Sequence, residues 1–205
     1  AQALALIQKG CDLKILTDSV QSASAIVAFA IANHAYFKVM IEIDTDDHRS
    51  GIKPNSPQLL EVAQALAVGG TEIYGVMTHA GSSYDLNTPE ALLHMAEQER
   101  SGCVRAAQRL RDAGFSCAVV SVGSTPTALS ARELAGVTEV RAGVYVFFDL
   151  VMLNIGVCNI DDMALSVLTT VIGHQQEKGW VIVDAGWMAM SRDRGTQKQT
   201  TDFGY

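Results

Sequence analysis

Ala118-Val-Val-Ser-Val-Gly-Ser-Thr-Pro-Thr127 begins as an apolar run and ends in glycine, hydroxyl residues and proline. A buried strand that opens into such a stretch can offer bare backbone N–H groups and side-chain hydroxyls to an anion. Gly123 lets the backbone approach a ligand closely, and Ser124, Thr125 and Thr127 can donate hydrogen bonds. Taken alone, the stretch is more simply a turn capping a helix expected from Ala128, because small polar residues are common at helix starts. Three other expected strands also end in polar groups, and that turns the reading toward an anion site.

Outward from this stretch, strand-like and helix-like segments alternate. Residues 14–18 form a short strand, and Ser19 can cap the alanine-rich helix that runs to about Asn33. Residues 37–44 are a second strand, rich in β-branched and apolar side chains. A helix over 57–68 is stopped by Gly69-Gly70, and residues 73–78 are a third strand. Thr88-Pro89-Glu90 opens a long helix that Gly114 ends, with proline first and an acid near the start. Residues 118–122 are the fourth strand, 128–134 a short helix, and 139–148 carry a fifth strand. Near-continuous apolar strands at this spacing predict a parallel sheet covered by helices. Five strands suit an open doubly wound sheet or part of an eight-stranded barrel. After Leu150 the rhythm changes: 163–172 and 179–184 are strand-like with no long helix between them. The expected division is a partial barrel over 1–150 and the start of a β-rich domain over 151–205.

The chain has 205 residues, 48% of them hydrophobic, and a net charge of −7, enough for one sizeable core. The acidic balance and the lack of a Lys/Arg run argue against nucleic acid as the partner. No stretch is long and apolar enough to span a membrane, and Ala1 to Ile7 lacks the basic start of a signal peptide. Cys11, Cys103, Cys117 and Cys158 are scattered, so free thiols in a reducing, cytoplasmic compartment are expected. Both ends of the chain read as cut.

Ligands of parallel α/β folds bind at the carboxyl ends of the strands. Those ends carry Thr17-Asp18, then Glu42 and Asp44 followed by Arg49-Ser-Gly51, then Thr78-His79 with Ser82, Ser83 and Tyr84 beyond. The fourth brings Ser121 and the Gly-Ser-Thr stretch, and the fifth Arg141, Gly143, Val144 and Tyr145. Each has a plain alternative. Arg49 can be a surface cation beside Asp46 and Asp47, His79 a satisfied core histidine, Arg141 a partner of Glu139 or Glu42, and Tyr84 a loop cap. Together they describe one mouth with a phosphate-like cup, two arginines, an imidazole and a phenol, which suits an aromatic anionic cofactor.

Ile41-Glu-Ile-Asp44 with Arg49-Ser-Gly51, Thr78-His-Ala-Gly-Ser-Ser-Tyr84, Ser121-Val-Gly-Ser-Thr-Pro-Thr127, Glu139-Val-Arg-Ala-Gly-Val-Tyr145 and Asp184-Ala-Gly186 occur in this order. In these motifs the chain resembles the D-serine dehydratase/D-threonine aldolase family of pyridoxal-phosphate enzymes, which share the alanine-racemase type of barrel. The resemblance implies a (β/α)8 barrel followed by a C-terminal β-domain. It implies Arg49 near the phenolic oxygen of pyridoxal phosphate, His79 against the pyridine face, and Tyr84 lining the site, these three forming the catalytic set. Gly123, Ser124 and Thr125, with Gly143, Val144 and Tyr145, would form the phosphate cup, Ser121 would also belong to the cofactor-binding set, and Arg141 would face the pyridine nitrogen. The sequence departs from the family in two respects. Lys9 falls in a helix, Lys14 and Lys38 fall at the wrong ends of strands, and no lysine suits the Schiff-base role. No metal-ligand pair matches the family's either, so the chain reads as the middle of such an enzyme, inactive by itself.

The implied activity of the whole enzyme is a lyase reaction on D-3-hydroxy amino acids, D-serine dehydratase-like, releasing ammonia and a 2-oxo acid. A divalent metal, zinc by resemblance, and a possible homodimer come with it. Aldol cleavage of D-threonine type, amino-acid racemisation and non-catalytic cofactor binding are the alternatives.

Overall fold

The computed structural model describes residues 1–191. After a short helix α1 (Gln2–Gln8), strand β1 (Lys14–Thr17) leads into α2 (Val20–Ala32), whose first turn is capped by the Ser19 side chain accepting from the Ser22 amide. Next come β2 (Phe37–Glu42), α3 (Gln58–Leu66) and β3 (Thr71–Met77). The long α4 (Pro89–Asp112) starts at Pro89 behind a Thr88 cap, as its Thr-Pro-Glu opening requires. Then follow β4 (Val119–Val122), α5 (Thr125–Ser130) and β5 (Glu139–Val140).

All five strands are parallel and stand in the order β1-β2-β3-β4-β5. A doubly wound sheet reverses its strand order once and places helices on both faces. Here every crossover advances in the same direction, so α2 packs on α3 and α3 on α4 along one face. This is an arc of a barrel, and it decides between the two architectures that the strand count alone allowed. Side chains alternate accordingly. Val39, Ile41 and Ile43 point into the helices and join Leu59, Val62, Leu66, Val76, Ala106, Leu110 and Val120 in one core. Each fully buried Val, Leu or Ile among them contributes roughly 1.5–3 kcal/mol. The inner face is different: Leu16, Met40, Tyr74, Ser121, Glu139 and Arg141 line a hollow of about 340 Å³, and Leu16 is 40% exposed.

Four local expectations change. α5 begins at Thr125 rather than Ala128, because Ser124 and Thr127 form a reciprocal capping box that starts the helix earlier. β5 pairs through only two residues, after which the chain turns into a short 3-10 segment, Val144–Val146, so no strand reaches Phe148. A further helix, α6 (Leu150–Ile155), follows, capped by Asp149 and ended by Gly156 in the left-handed conformation. Met152 and Ile155 pack there with Leu92, against Tyr84, Leu86, Val144 and Phe148. The later strand-like stretch pairs only from β6 (Val171–Gln175), antiparallel to β7 (Trp180–Val183). Residues 192–205, including part of the expected second domain, lie outside the described residues.

Candidate active site

The carboxyl ends of β3, β4 and β5 surround a cavity of about 370 Å³. Its lining joins His79, Tyr84, Gly123, Ser124 and Thr125 to the 140–144 segment. Gly123 sits where β4 turns into α5, at φ +130°, and a Cβ there would lie 2.4 Å from the Arg141 carbonyl oxygen. Only glycine satisfies both the backbone angle and this close approach. Its N–H does not face a ligand: it donates to Glu99 Oε1 at 3.0 Å.

The hydroxyls of the Gly-Ser-Thr stretch are largely engaged by the fold. Ser124 Oγ accepts from the Thr127 amide at 3.2 Å and meets the hydroxyls of Thr127 and Ser83, each at 2.9 Å. The Ser124 amide in turn donates to Thr127 Oγ1 at 3.0 Å. Thr125 Oγ1 accepts from the Tyr145 amide at 3.3 Å, which keeps its own hydrogen available to donate. The N–H groups of Thr125 and Val144 open their helical turns and meet no acceptor among the described residues. Both residues line the cavity, and a Cβ on the neighbouring Gly143 would meet nothing within 4 Å.

Arg141 leaves β5 toward the barrel interior and is clamped on two sides. One guanidinium nitrogen donates to Ser121 Oγ and another to the Thr78 carbonyl. Ser121 Oγ passes its own hydrogen to Glu139 Oε1 at 2.7 Å. Burial lowers the Arg141 pKa, opposed by the nearby Glu99 and Glu139 carboxylates, and a guanidinium stays charged regardless. Arg141 thus lines the cavity and also sits in a hydrogen-bonded chain with Glu139 through Ser121.

His79 Nδ1 lies 3.2 Å from the Gly123 carbonyl oxygen, which can only accept, so Nδ1 carries the hydrogen and donates it. The Tyr84 ring stands 6.0 Å from the imidazole, tilted by 36°. Burial raises the Tyr84 pKa, helped by the negative charges of Asp149 and Glu99, so its phenol stays protonated at neutral pH.

The loop after β2 returns beside its own strand: Ile43 and Ile52 form a parallel bridge. Gly51, at φ +125°, lies so close to Asp44 that a Cβ would sit 2.6 Å from the Asp44 nitrogen, and its N–H donates to Asp18 at 3.2 Å. Glu42, at the strand end, accepts from Arg49 at 3.3 Å and from Ser50 Oγ at 3.0 Å. Lys53 reaches Asp44 at 3.0 Å and also contacts Asp47.

The structure thus gathers His79, Tyr84, Gly123, Ser124, Thr125, Arg141, Gly143 and Val144 around one cavity. Arg49, Ser121 and Tyr145 do not line it. Arg49 is paired on the β2 loop, near enough to Arg141 to repel it, Ser121 faces the inner hollow, and Tyr145 contributes through its amide. No lysine among the described residues lines the cavity; Lys14 and Lys38 are both held by Asp12 at the opposite end of the sheet. Among the described residues, no three His, Cys, Asp or Glu side chains converge as a metal site would require. Glu99 is the residue that sequence reading passed over. Its signal was a carboxylate on the buried stripe Leu92, Ala96, Glu99, Cys103, Ala106, Leu110, where helical spacing predicts only apolar groups.

The residues present fit a phosphorylated aromatic cofactor. Two unpartnered turn-opening amides and the Thr125 hydroxyl suit a phosphate, and the imidazole and phenol flank space for a ring. The cavity volume lies in the range of small-molecule sites, roughly 300–1,000 Å³.

Comparison with known proteins is consistent with this. Residues 1–151 match the family of the alanine racemase N-terminal domain, and residues 164–204 match a serine dehydratase domain family. The chain is 65% identical over 205 residues to D-threo-3-hydroxyaspartate dehydratase of Delftia sp. (strain HT23), covering all of this chain and 54% of that protein. The solved structure of that enzyme superposes with a TM-score of 0.97, and one of its variants has been solved in a metal-free form. An alanine racemase-like protein of Idiomarina loihiensis, 50% identical, superposes over all of this chain and 54% of its own with a TM-score of 0.93. D-serine dehydratase of Dictyostelium discoideum is 29% identical over 195 residues, covering 89% of this chain and 49% of that protein. The chain spans about half the length of the curated relatives it matches. It belongs to the family of the alanine racemase N-terminal domain.

Proposed function

We propose that the full-length protein is a pyridoxal-phosphate-dependent lyase that removes water from a D-3-hydroxy amino acid and releases ammonia and a 2-oxo acid. The observation that carries this reading is 65% identity along all 205 residues to a D-threo-3-hydroxyaspartate dehydratase. The donor set and size of the cavity support it independently.

When bound, pyridoxal phosphate supplies an electron sink for the bond that breaks next to the substrate nitrogen. The chain's own residues hold and orient. The Thr125 and Val144 amides and the Thr125 hydroxyl take the phosphate. His79, anchored through Nδ1 by Gly123, presents its ring to the space a pyridine would fill. Arg141, clamped by Ser121 and the Thr78 carbonyl, keeps a fixed positive charge at the inner edge of the site. Tyr84, kept protonated by burial, is a hydrogen-bond donor rather than a base at neutral pH. Arg49 would act from the rim and would have to leave Glu42 to reach a ligand. The described residues do not assemble a metal centre, so no step is assigned to one here, and a divalent metal belongs to the proposal for the full-length protein alone. The division at 150/151, a cytoplasmic location and a homodimer are proposed with it, on the grounds given from the sequence.

The test is product analysis of the full-length protein with D-threo-3-hydroxyaspartate, D-serine and D-threonine. Ammonia and oxaloacetate from the first are expected. Glycine and an aldehyde from D-threonine would replace the reading by an aldolase, and loss of chirality without ammonia by a racemase. No turnover of any D-3-hydroxy amino acid would sink the lyase assignment.

A further inference from the structure

Glu99 is a buried acid that none of the roles above uses. It sits at mid-length on α4, between Ala96 and Cys103 on the helix's apolar stripe, and only 2% of it is exposed. Taking a carboxylate out of water is costly unless hydrogen bonds replace the lost hydration. Here a single oxygen, Oε1, accepts two backbone N–H groups, those of Ala80 and Gly123, each at 3.0 Å. They come from different walls of the cavity. Ala80 follows His79, and Gly123 precedes Ser124 and Thr125.

The same walls meet a second time through His79 Nδ1 and the Gly123 carbonyl. The peptide between Val122 and Gly123 is therefore gripped at both ends, its N–H by Glu99 and its carbonyl by the Arg141 amide at 2.8 Å. With that plane fixed, the chain direction into Thr125 is fixed too. Burial raises the Glu99 pKa, while the Thr127, Gly123 and Ala80 hydrogen bonds and the nearby His79 work the other way.

We propose that Glu99 is a positioning residue for the phosphate wall: by holding the Ala80 and Gly123 amides on one oxygen, it sets the distance between the His79 ring and the Thr125 donor. The proposal rests on the cofactor reading above but not on the reaction that follows. A hydrogen-bond acceptor at this point suffices, so the amide oxygen of glutamine should serve in place of the carboxylate, whereas methionine fills the stripe without accepting.

The experiment compares pyridoxal phosphate with pyridoxal, which lacks the phosphate. Dissociation constants of both are measured by absorbance or fluorescence titration on cofactor-stripped full-length protein, for wild type, E99Q and E99M. Wild type should prefer the phosphorylated form. E99M should lose at least about tenfold of that preference, the scale of one charge-assisted hydrogen bond, with little change in pyridoxal affinity. E99Q should keep the preference to within about twofold. A general loss of structure would weaken both ligands together and leave their ratio unchanged. An unchanged ratio in E99M, or a collapsed ratio in E99Q, overturns the proposal, and the E99Q arm stands even if E99M does not fold. A wild type without preference would overturn the phosphate wall as well.

Discussion

The two ends of the parallel sheet carry comparable charged groups and treat them in opposite ways. At the amino-terminal end, Asp12 bridges Lys14 and Lys38 at 2.6 and 2.8 Å, and both ammonium groups lie 5.1 Å from the Tyr74 ring centroid. Asp12 is well exposed, the charges answer one another, and the one backbone contact is local, from Lys14 Nζ to the exposed Asp12 carbonyl at 3.3 Å. At the carboxyl end, Glu42, Glu99 and Arg141 are buried or half-buried, and, apart from the Glu42–Arg49 pair, their partners are amides, carbonyls and hydroxyls. Water and salt screen the first arrangement and make it nearly dispensable. The second determines where loops run. Charge that bonds to backbone shapes a site, and charge that bonds to charge on the surface adds little.

The contrast breaks most visibly at Gly123. Gly123→Ala forces a Cβ against the Arg141 carbonyl in a left-handed backbone, so a loss of at least about 2 kcal/mol in denaturant stability is expected, with failure to bind pyridoxal phosphate. A stable, cofactor-binding variant would mean that β4 and β5 separate easily. Ser124→Ala removes the reciprocal cap of α5 and should cost about 1 kcal/mol, read as a lower midpoint with an unchanged urea slope. Glu42→Gln keeps an acceptor for Ser50 and gives up only the half-exposed Arg49 pair. Less than about 1 kcal/mol is expected, vanishing in 1 M salt. A larger, salt-resistant loss would place Glu42 with Glu99 rather than on the rim.

The amino-terminal end of the sheet, its floor, should show the smallest effect, visible only in acid. Lys14 first, and then Lys38, hold the Asp12 carboxyl down from 3.8 to about 2. A depressed carboxylate contributes stability that is present above its ordinary value and is lost as pH falls through the folded value. Thermal melts of wild type should therefore drop between pH 3.8 and about 2, and Asp12→Asn should flatten part of that drop while changing little at pH 7. A marked change at neutral pH would show that the floor pairs do more than neutralise each other.

Much of this was legible in the sequence. The apolar strands, the Ser19 and Thr88 caps and the polar strand ends all lie where local chemistry puts them, because each depends on neighbours within a few residues. The floor position of Lys14 and Lys38 followed from their places at strand starts. What escaped depends on distant partners. The start of α5 is hidden because one short stretch does two things: Ser124 and Thr127 form the cap while Thr125 keeps its donors toward the cavity. β5 is cut short by a turn at Gly143 that no pattern within 139–148 announces. Arg49 reads as a cavity cation until the loop's return beside β2 delivers it to Glu42. Glu99 stands 19 residues from Ala80 and 24 from Gly123, and only the folded chain shows that one oxygen serves both.

The unequal use of neighbouring amides in the turn after β4 has a consequence in isotope exchange. The Gly123 and Ser124 hydrogens are already committed to Glu99 and Thr127, so they should exchange with deuterated solvent slowly, with or without a ligand. Those of Thr125 and Val144 should exchange quickly in the stripped protein and slow down when an anion arrives. Two adjacent residues, Ser124 and Thr125, would then report separately on the integrity of the fold and on the occupancy of its mouth.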